Sequence, residues 1–282
     1  MKTSPPTNWD AYYESIDDSI RYILRFSNIH RQHLSLAESI RCGNAIGVMD
    51  ASVKISKKSL AISWIITDRI QSYKCLGSSG CPRFHAALDS YSSELFGILV
   101  IMITAKTVCD FYNISSGKLT IACDNDSSLD VAINSSSPVK ISDPYFNLIW
   151  AARDFRDKIS IQFKSKRVKG HQDDYKQRLN FYELLNIEMD KRAKLFRARL
   201  EQNPSLHRPW LFGDTQWHVG VSNIHFGYNL EYSIRDHVQG SYLINHLTQK
   251  QDLPISMAGF VDWDAIHRGA QLVTAGEKLW MS

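Results

Sequence analysis

No stretch of this 282-residue chain is apolar for long enough to cross a bilayer. The most apolar run, Leu95 to Ala105, falls short of the roughly 20 residues a membrane helix needs, and reads instead as a buried helix. The N-terminus lacks the apolar core of a secretory leader, because Met1 to Trp9 is polar and carries Pro5 and Pro6. Cysteine is scarce: Cys42, Cys75, Cys81, Cys109 and Cys123 are odd in number and form no Cys-x-x-Cys pair. That argues against a disulfide scaffold and a zinc ribbon and favours a reducing compartment. There is no internal repeat and no Tyr-x-Asp-Asp polymerase motif. These absences lead us to expect an intracellular protein, cytoplasmic or nuclear, neither secreted nor membrane-bound.

Neither sign of charge dominates. Lys and Arg number 33 against 29 Asp and Glu, a net charge of +4. A mildly basic surface suits a polyanionic partner without demanding one. The apolar fraction of 44% is ample for a core. The length fits one sizeable domain with attachments, or two small domains.

Residues 1–43 read as a helical N-terminal arm. Trp9, Tyr13, Ile16, Ile20, Ile23 and Phe26 recur at helical spacing after a cap at Asn8, and a second short helix from Leu34 to Cys42 stops at Gly43. Ala45 to Asp50 is an apolar strand ending in an acid. Ser59 to Thr67 and Gln71 to Leu76 complete an antiparallel meander, which the loop from Gly77 to Pro82 releases. A long helix runs from Ala86 to Tyr112 with Glu94 in its first half, and Lys118 to Asp124 is another strand ending in an acid. Short helices over Ser127 to Asn134 and Pro144 to Phe155, a strand from Ile159 to Val168 and a helix from Leu184 to Leu200 follow. Antiparallel strands first and βαβ units afterwards predict a mixed α/β fold, a five-stranded mixed sheet with helices on both faces.

Two acids at strand ends, Asp50 and Asp124, emerge at one sheet margin if their strands are neighbours, and Glu94 and Asp190 on helices can lean over it. Carboxylates gathered so closely repel unless divalent cations neutralise them, and hard oxygen donors suit Mg²⁺ or Mn²⁺ better than zinc. The last strand runs into a Gly170-His171 turn, and the next helix carries Asn186 and Asp190 at four-residue spacing.

The segments Val48-Met49-Asp50-Ala51-Ser52, Tyr91 to Gly97, Ala122-Cys123-Asp124, Val168 to Asp173 and Leu185 to Asp190 resemble the type 1 ribonuclease H domain of retroelement polyproteins. The resemblance covers roughly residues 44–200. It implies a ribonuclease H-like fold over residues 44–202 and a two-metal hydrolase that cuts the RNA strand of RNA–DNA hybrids. Asp50, Glu94, Asp124 and Asp190 would be the metal ligands for two Mg²⁺ ions. One ion would activate a water and the other would stabilise the leaving 3′ oxygen. His171 would assist proton transfer or product release. Where such domains carry Arg two residues before the helical Glu and Asn a little earlier, this chain has Ser92 and Ser90 or Tyr91. Ser52, Ser90, Ser92, Lys169 and Asn186 are the candidates for contact with nucleic acid, since a serine hydroxyl can bond a 2′-OH.

Lys164, Lys166, Arg167, Lys169, Lys176 and Arg178 are expected to cluster around the site as a patch for a phosphate backbone. Residues 205–282 form an α+β extension of unknown role: Trp210, Phe212, Trp217, Val219 and Val221 suggest short strands, and 232–247 a helix. The partners expected are an RNA–DNA hybrid and an upstream reverse-transcriptase module. Competing readings are a catalytically degenerate nucleic-acid-binding remnant and a transposase or integrase of the same fold. The latter typically carry Glu where this chain has Asp190.

Overall fold

In the computed structural model, residues 8–54, 59–81, 89–140, 143, 145–170, 172, 178–203, 206, 219–221 and 224–226 are described. The central element is a five-stranded sheet built from β1 (Ala45–Lys54), β2 (Ser59–Thr67), β3 (Lys74–Gly80), β4 (Lys118–Cys123) and β5 (Gln162–Arg167), in the order β3-β2-β1-β4-β5. The first three strands pair antiparallel, and β4 and β5 pair parallel to β1. Sequence and sheet thus agree on a mixed α/β architecture.

β2 is buried along its whole length and reads as a continuous apolar run, because helices cover both of its faces. On one face lies α4 (Ser90–Phe111), apolar nearly all round because it is wedged between the sheet and α6 (Phe146–Lys158). The other face takes α7 (Phe181–Gln202), which packs over β1, β2 and β3. Side-chain alternation sorts the two cores: Ala45 and Met49 of β1 join the large cluster beneath α4. Ile46 and Val48 meet Leu185 and Met189 of α7.

The N-terminal arm is three helices, α1 (Trp9–Ser15), α2 (Asp18–Leu24) and α3 (Ile29–Arg41). The Asn8 cap holds, its Oδ1 accepting from the Ala11 N–H at 2.8 Å. The single long periodicity read from the sequence is broken at Ile16, whose extended backbone precedes a second cap at Asp17. The third helix begins five residues earlier than expected. Trp9, Tyr13, Ile23, Leu36 and Ile40 share the core of the sheet. Between α2 and α3 the chain runs along the outer edge of β3. Asn28 N–H donates to Leu76 O at 2.9 Å, while the Asn28 side chain donates to Lys74 O at 2.8 Å and accepts from Leu76 N–H at 2.7 Å. An edge strand that would otherwise offer unpaired backbone groups is thereby covered.

Several boundaries differ from the sequence reading. β3 extends through Gly80, so Gly77 to Gly80, expected as loop, are strand residues paired with β2. α4 begins at Ser90, and the residues expected to open it, 86–88, lie outside the described residues. The segment after β4 is a single turn, α5 (Asp126–Leu129), running into a π-helical turn over Asp130–Asn134. Of the C-terminal extension, Leu206 and a hairpin of β6 (Val219–Val221) and β7 (Ile224–Phe226) are described. The helix expected over 232–247 lies outside the described residues. No helix among the described residues is long and apolar enough to cross a membrane.

Candidate active site

The parallel β1–β4 pairing runs from Ala45↔Leu119 to Val48↔Ala122, and two further residues on that register bring Asp50 level with Asp124. Both acids therefore lie at the margin just past the end of the β1–β4 pairing, but Asp50, expected to end its strand, is inside β1, which stays paired with β2 through Lys54. Asp124 lies just past the last residue of β4, where parallel strands open toward a crevice.

Glu94 reaches this margin from α4, and two features of the chain aim it there. Asp89 caps the helix, with its Oδ1 accepting from Ser92 N–H at 2.8 Å and its Oδ2 accepting from the Tyr145 hydroxyl. One turn after Glu94, Gly97 lies against Met49: a Cβ at this position would collide with the methionine methyl. Bare Cα packing lets α4 approach β1 closely enough for Glu94 to face Asp50. Asp190 arrives from α7, whose first turn is fixed by a capping box of Asn180 and Glu183.

Asp50 and Glu94 are buried, at 8% and 5% exposure. Asp50 Oδ1 accepts from the Ala51 N–H at 2.7 Å, and Asp50 Oδ2 accepts from Asn186 Nδ2 at 3.1 Å. Burial, and next the charge of Asp124, pushes the Asp50 carboxyl up to about 8, with Asp190 adding in the same direction. Burial likewise holds Glu94 well above the usual carboxylate range, followed by the charges of Asp50 and Asp124. Asp190 pairs with Lys194 one turn along α7, at 2.7 Å.

Three of the four predicted acids thus act on one another directly, and Asp190 acts on Asp50. Ligand atoms of Glu94, Cys123 and Asp124 lie within 4.8 Å of one another. This donor set suits a hard divalent cation: carboxylate oxygens converge where burial and mutual repulsion disfavour their charged forms, and a cation relieves both penalties.

Two site residues were not singled out from sequence. Cys123 donates from its thiol to Glu94 Oε2 at 3.2 Å. Burial first, then Glu94, raises this thiol well above its ordinary range, so it stays a neutral donor rather than a soft thiolate ligand. Lys194 is the other, and its signal was available as an acid-to-lysine spacing of four on a helix. Gly170 has a role of its own. A Cβ there would collide with Asp124 Oδ2, so the glycine makes room for the acid.

Among the residues expected to touch nucleic acid, Ser90 and Lys169 are exposed. The other three are buried. Ser92 donates from its hydroxyl to Asp89 O at 3.1 Å, Ser52 accepts from Arg197 Nε at 2.9 Å, and Asn186 braces Asp50. His171 lies outside the described residues, as do Asp173 and Lys176. Asp126 is the first residue of the helix after β4 and pairs with Arg167 at 2.8 Å, while Asn125 provides the cap. The basic residues do not all gather at the site: Arg167 faces Asp126, whereas Lys164 and Lys166 lie along the other face of β5.

No protein-family model matches the chain, and no curated protein matches it. Among solved structures it is similar to the N-terminal ribonuclease H domain of a Mycobacterium tuberculosis protein, determined as a fusion with maltose-binding protein. That likeness has 13% identity and a TM-score of 0.36 and covers 54% of this chain and 97% of that one. It is also similar to ribonuclease H1 of the halophilic archaeon Halobacterium salinarum, at 12% identity and a TM-score of 0.33, covering 45% of this chain and 86% of that one. At such values the fold rests on the strand order and helix placement given above.

Proposed function

We propose that the chain is a metal-dependent endonuclease that hydrolyses the RNA strand of RNA–DNA hybrids, a ribonuclease H of the retroelement type. The observation that carries this reading is the convergence of Asp50, Glu94 and Asp124 at one sheet margin, with Asp190 on α7 acting on Asp50. Asp50, Glu94, Asp124 and Asp190 would hold the divalent ions, Mg²⁺ or Mn²⁺. Bound there, such ions supply a water of lowered pKa and stabilise charge on the leaving oxygen.

The chain's own groups prepare that chemistry. The Ala51 N–H and the Asn186 amide fix both oxygens of Asp50, and the Cys123 thiol orients Glu94. Lys194 pairs with Asp190 and offsets its charge. His171, next in sequence after Gly170, is the candidate proton carrier. Asp190 on α7, in place of the glutamate typical of transposases and integrases, favours hydrolysis over strand transfer.

The test is cleavage of a hybrid with each strand labelled in turn. With Mg²⁺ the protein should cut the RNA strand only, and both chelation and Asp50→Asn should reduce cutting to background. Wild-type protein that cuts no faster than Asp50→Asn, with the hybrid bound, would instead establish the degenerate binding remnant.

A further inference from the structure

Among the described residues, α7 covers β1, β2 and β3, while β4 and β5 carry a basic row with no helix packed over it on the same face. Alternation from Ala122, which packs with Leu185 and Met189 of α7, assigns Thr120 and Lys118 of β4 to that face. Their partners on β5 are Lys164, opposite Thr120, and Gln162, opposite Lys118, with Lys166 opposite Ala122. Lys164 and Lys166 are exposed, and neither strand contributes an acid. The row ends at Asp124, the next residue of the same parity on β4.

Three observations mark this face as built for anions. Lys118 and Lys164 are diagonal neighbours across the β4–β5 ladder, and Lys164 is the first cause of a lowered Lys118 pKa. Two like charges side by side are unfavourable alone and are relieved by an anion between them. The Tyr182 ring at the start of α7 has Arg69 and Lys166 each 5.9 Å from its centre, one from β2's end and one from β5. Finally, Lys118, Thr120, Arg69 and Tyr182 line a groove of about 450 Å³. The acid on its wall, Asp68, accepts from the Ser72 N–H at 2.8 Å and the Ser72 hydroxyl at 2.5 Å.

We propose that this β4–β5 face, with Lys118, Lys164, Lys166, Arg69 and Tyr182, is a second binding surface for the phosphate backbone of nucleic acid, leading away from the carboxylate margin. It rests on the reading of that margin as a site acting on nucleic acid. Lys164 is four residues short of the level of Asp124, about 13 Å at ~3.3 Å per residue, so the surface holds nucleotides that flank the cut rather than the scissile one. Its contacts go to phosphates and therefore add affinity without sequence preference.

The test is equilibrium binding of an RNA–DNA hybrid by the full chain over stepped salt concentrations, in an Asp50→Asn background that does not cut. Lys118→Ala with Lys164→Ala is compared with Lys158→Ala, an exposed lysine on α6 that pairs with Asp154. The double variant should lower the slope of log K against log salt by about 2 and weaken binding for every sequence tried. Lys158→Ala should leave the slope unchanged. Equal slopes in the double variant and the control would overturn the inference, and would do so alone if wild-type protein cuts hybrids. A reduced slope in a protein that never cuts would leave this face standing and refute the reading of the margin. Failure to bind hybrid at low salt, with an acidic peptide held through these lysines instead, would also overturn it.

Discussion

Gly170 has no side chain, and Asp124 occupies the space a side chain would take. Gly170→Ala should therefore turn Asp124 away from the cluster and cut hybrid cleavage by roughly 10–100-fold, the usual effect of disturbing a metal ligand's support. Because the site is at a sheet margin rather than in the core, the thermal midpoint should hardly move, and calorimetry beside the cleavage assay checks both halves. Asp50 supplies a second expectation at this scale. Its carboxyl is raised to about 8 in the folded protein, so between its ordinary range and pH 8 the native state holds a proton that the unfolded chain has lost. Metal-free protein should accordingly lose stability as pH rises from about 5 to 8. Asp50→Asn should melt higher than wild type at pH 8, and the gap should close toward pH 5 or when Mg²⁺ is added to wild type. Equal melting at both pH values would contradict this account of the carboxylate. The four acids could be found in the sequence because Asp50 and Asp124 follow short apolar runs and Glu94 and Asp190 sit on long helical segments, although β1 continues past Asp50 to Lys54. Cys123 and Asn186 could not be placed correctly, since a thiol aimed at Glu94 and an amide aimed at Asp50 are contacts across 29 and 136 residues of chain.

At the scale of elements, long periodic segments were legible and their ends were not. β2 matches its sequence reading at both ends because it is a largely apolar run flanked by polar sequence. β3 was read too early, since Gly77 to Gly80 look like loop yet pair with β2, where Gly77 gives room to the Trp64 ring. No local signal announces a strand made of glycine and serine; its partner imposes it. The arm's role was also hidden, because covering an edge is a tertiary property. Asn28 bridges Lys74 O and Leu76 N–H, so Asn28→Ala should leave a strand edge partly unpaired. We expect about 1–3 kcal/mol of lost stability in urea unfolding, with cleavage per folded molecule unchanged. A change below about 0.5 kcal/mol would show that the arm does not hold β3.

For the whole molecule, the sheet topology joins function and fold. Parallel pairing of β1 with β4 sets Asp50 beside Asp124, α4 brings Glu94 from one face, and α7 brings Asp190 from the other. The mixed sheet was predictable from the succession of strands and helices. The basic face of β4 and β5 was not, because only the placement of α7 decides which strands it covers. The central claim is that the carboxylate margin holds divalent cations, and Mn²⁺ binding followed by electron paramagnetic resonance tests it most directly. Wild-type protein should take up Mn²⁺ saturably, Asp50→Asn and Asp124→Asn should each weaken uptake by about tenfold or more, and Lys164→Ala should not. Wild-type protein that leaves Mn²⁺ free in solution, or variants that bind it as well as wild type does, would contradict the account.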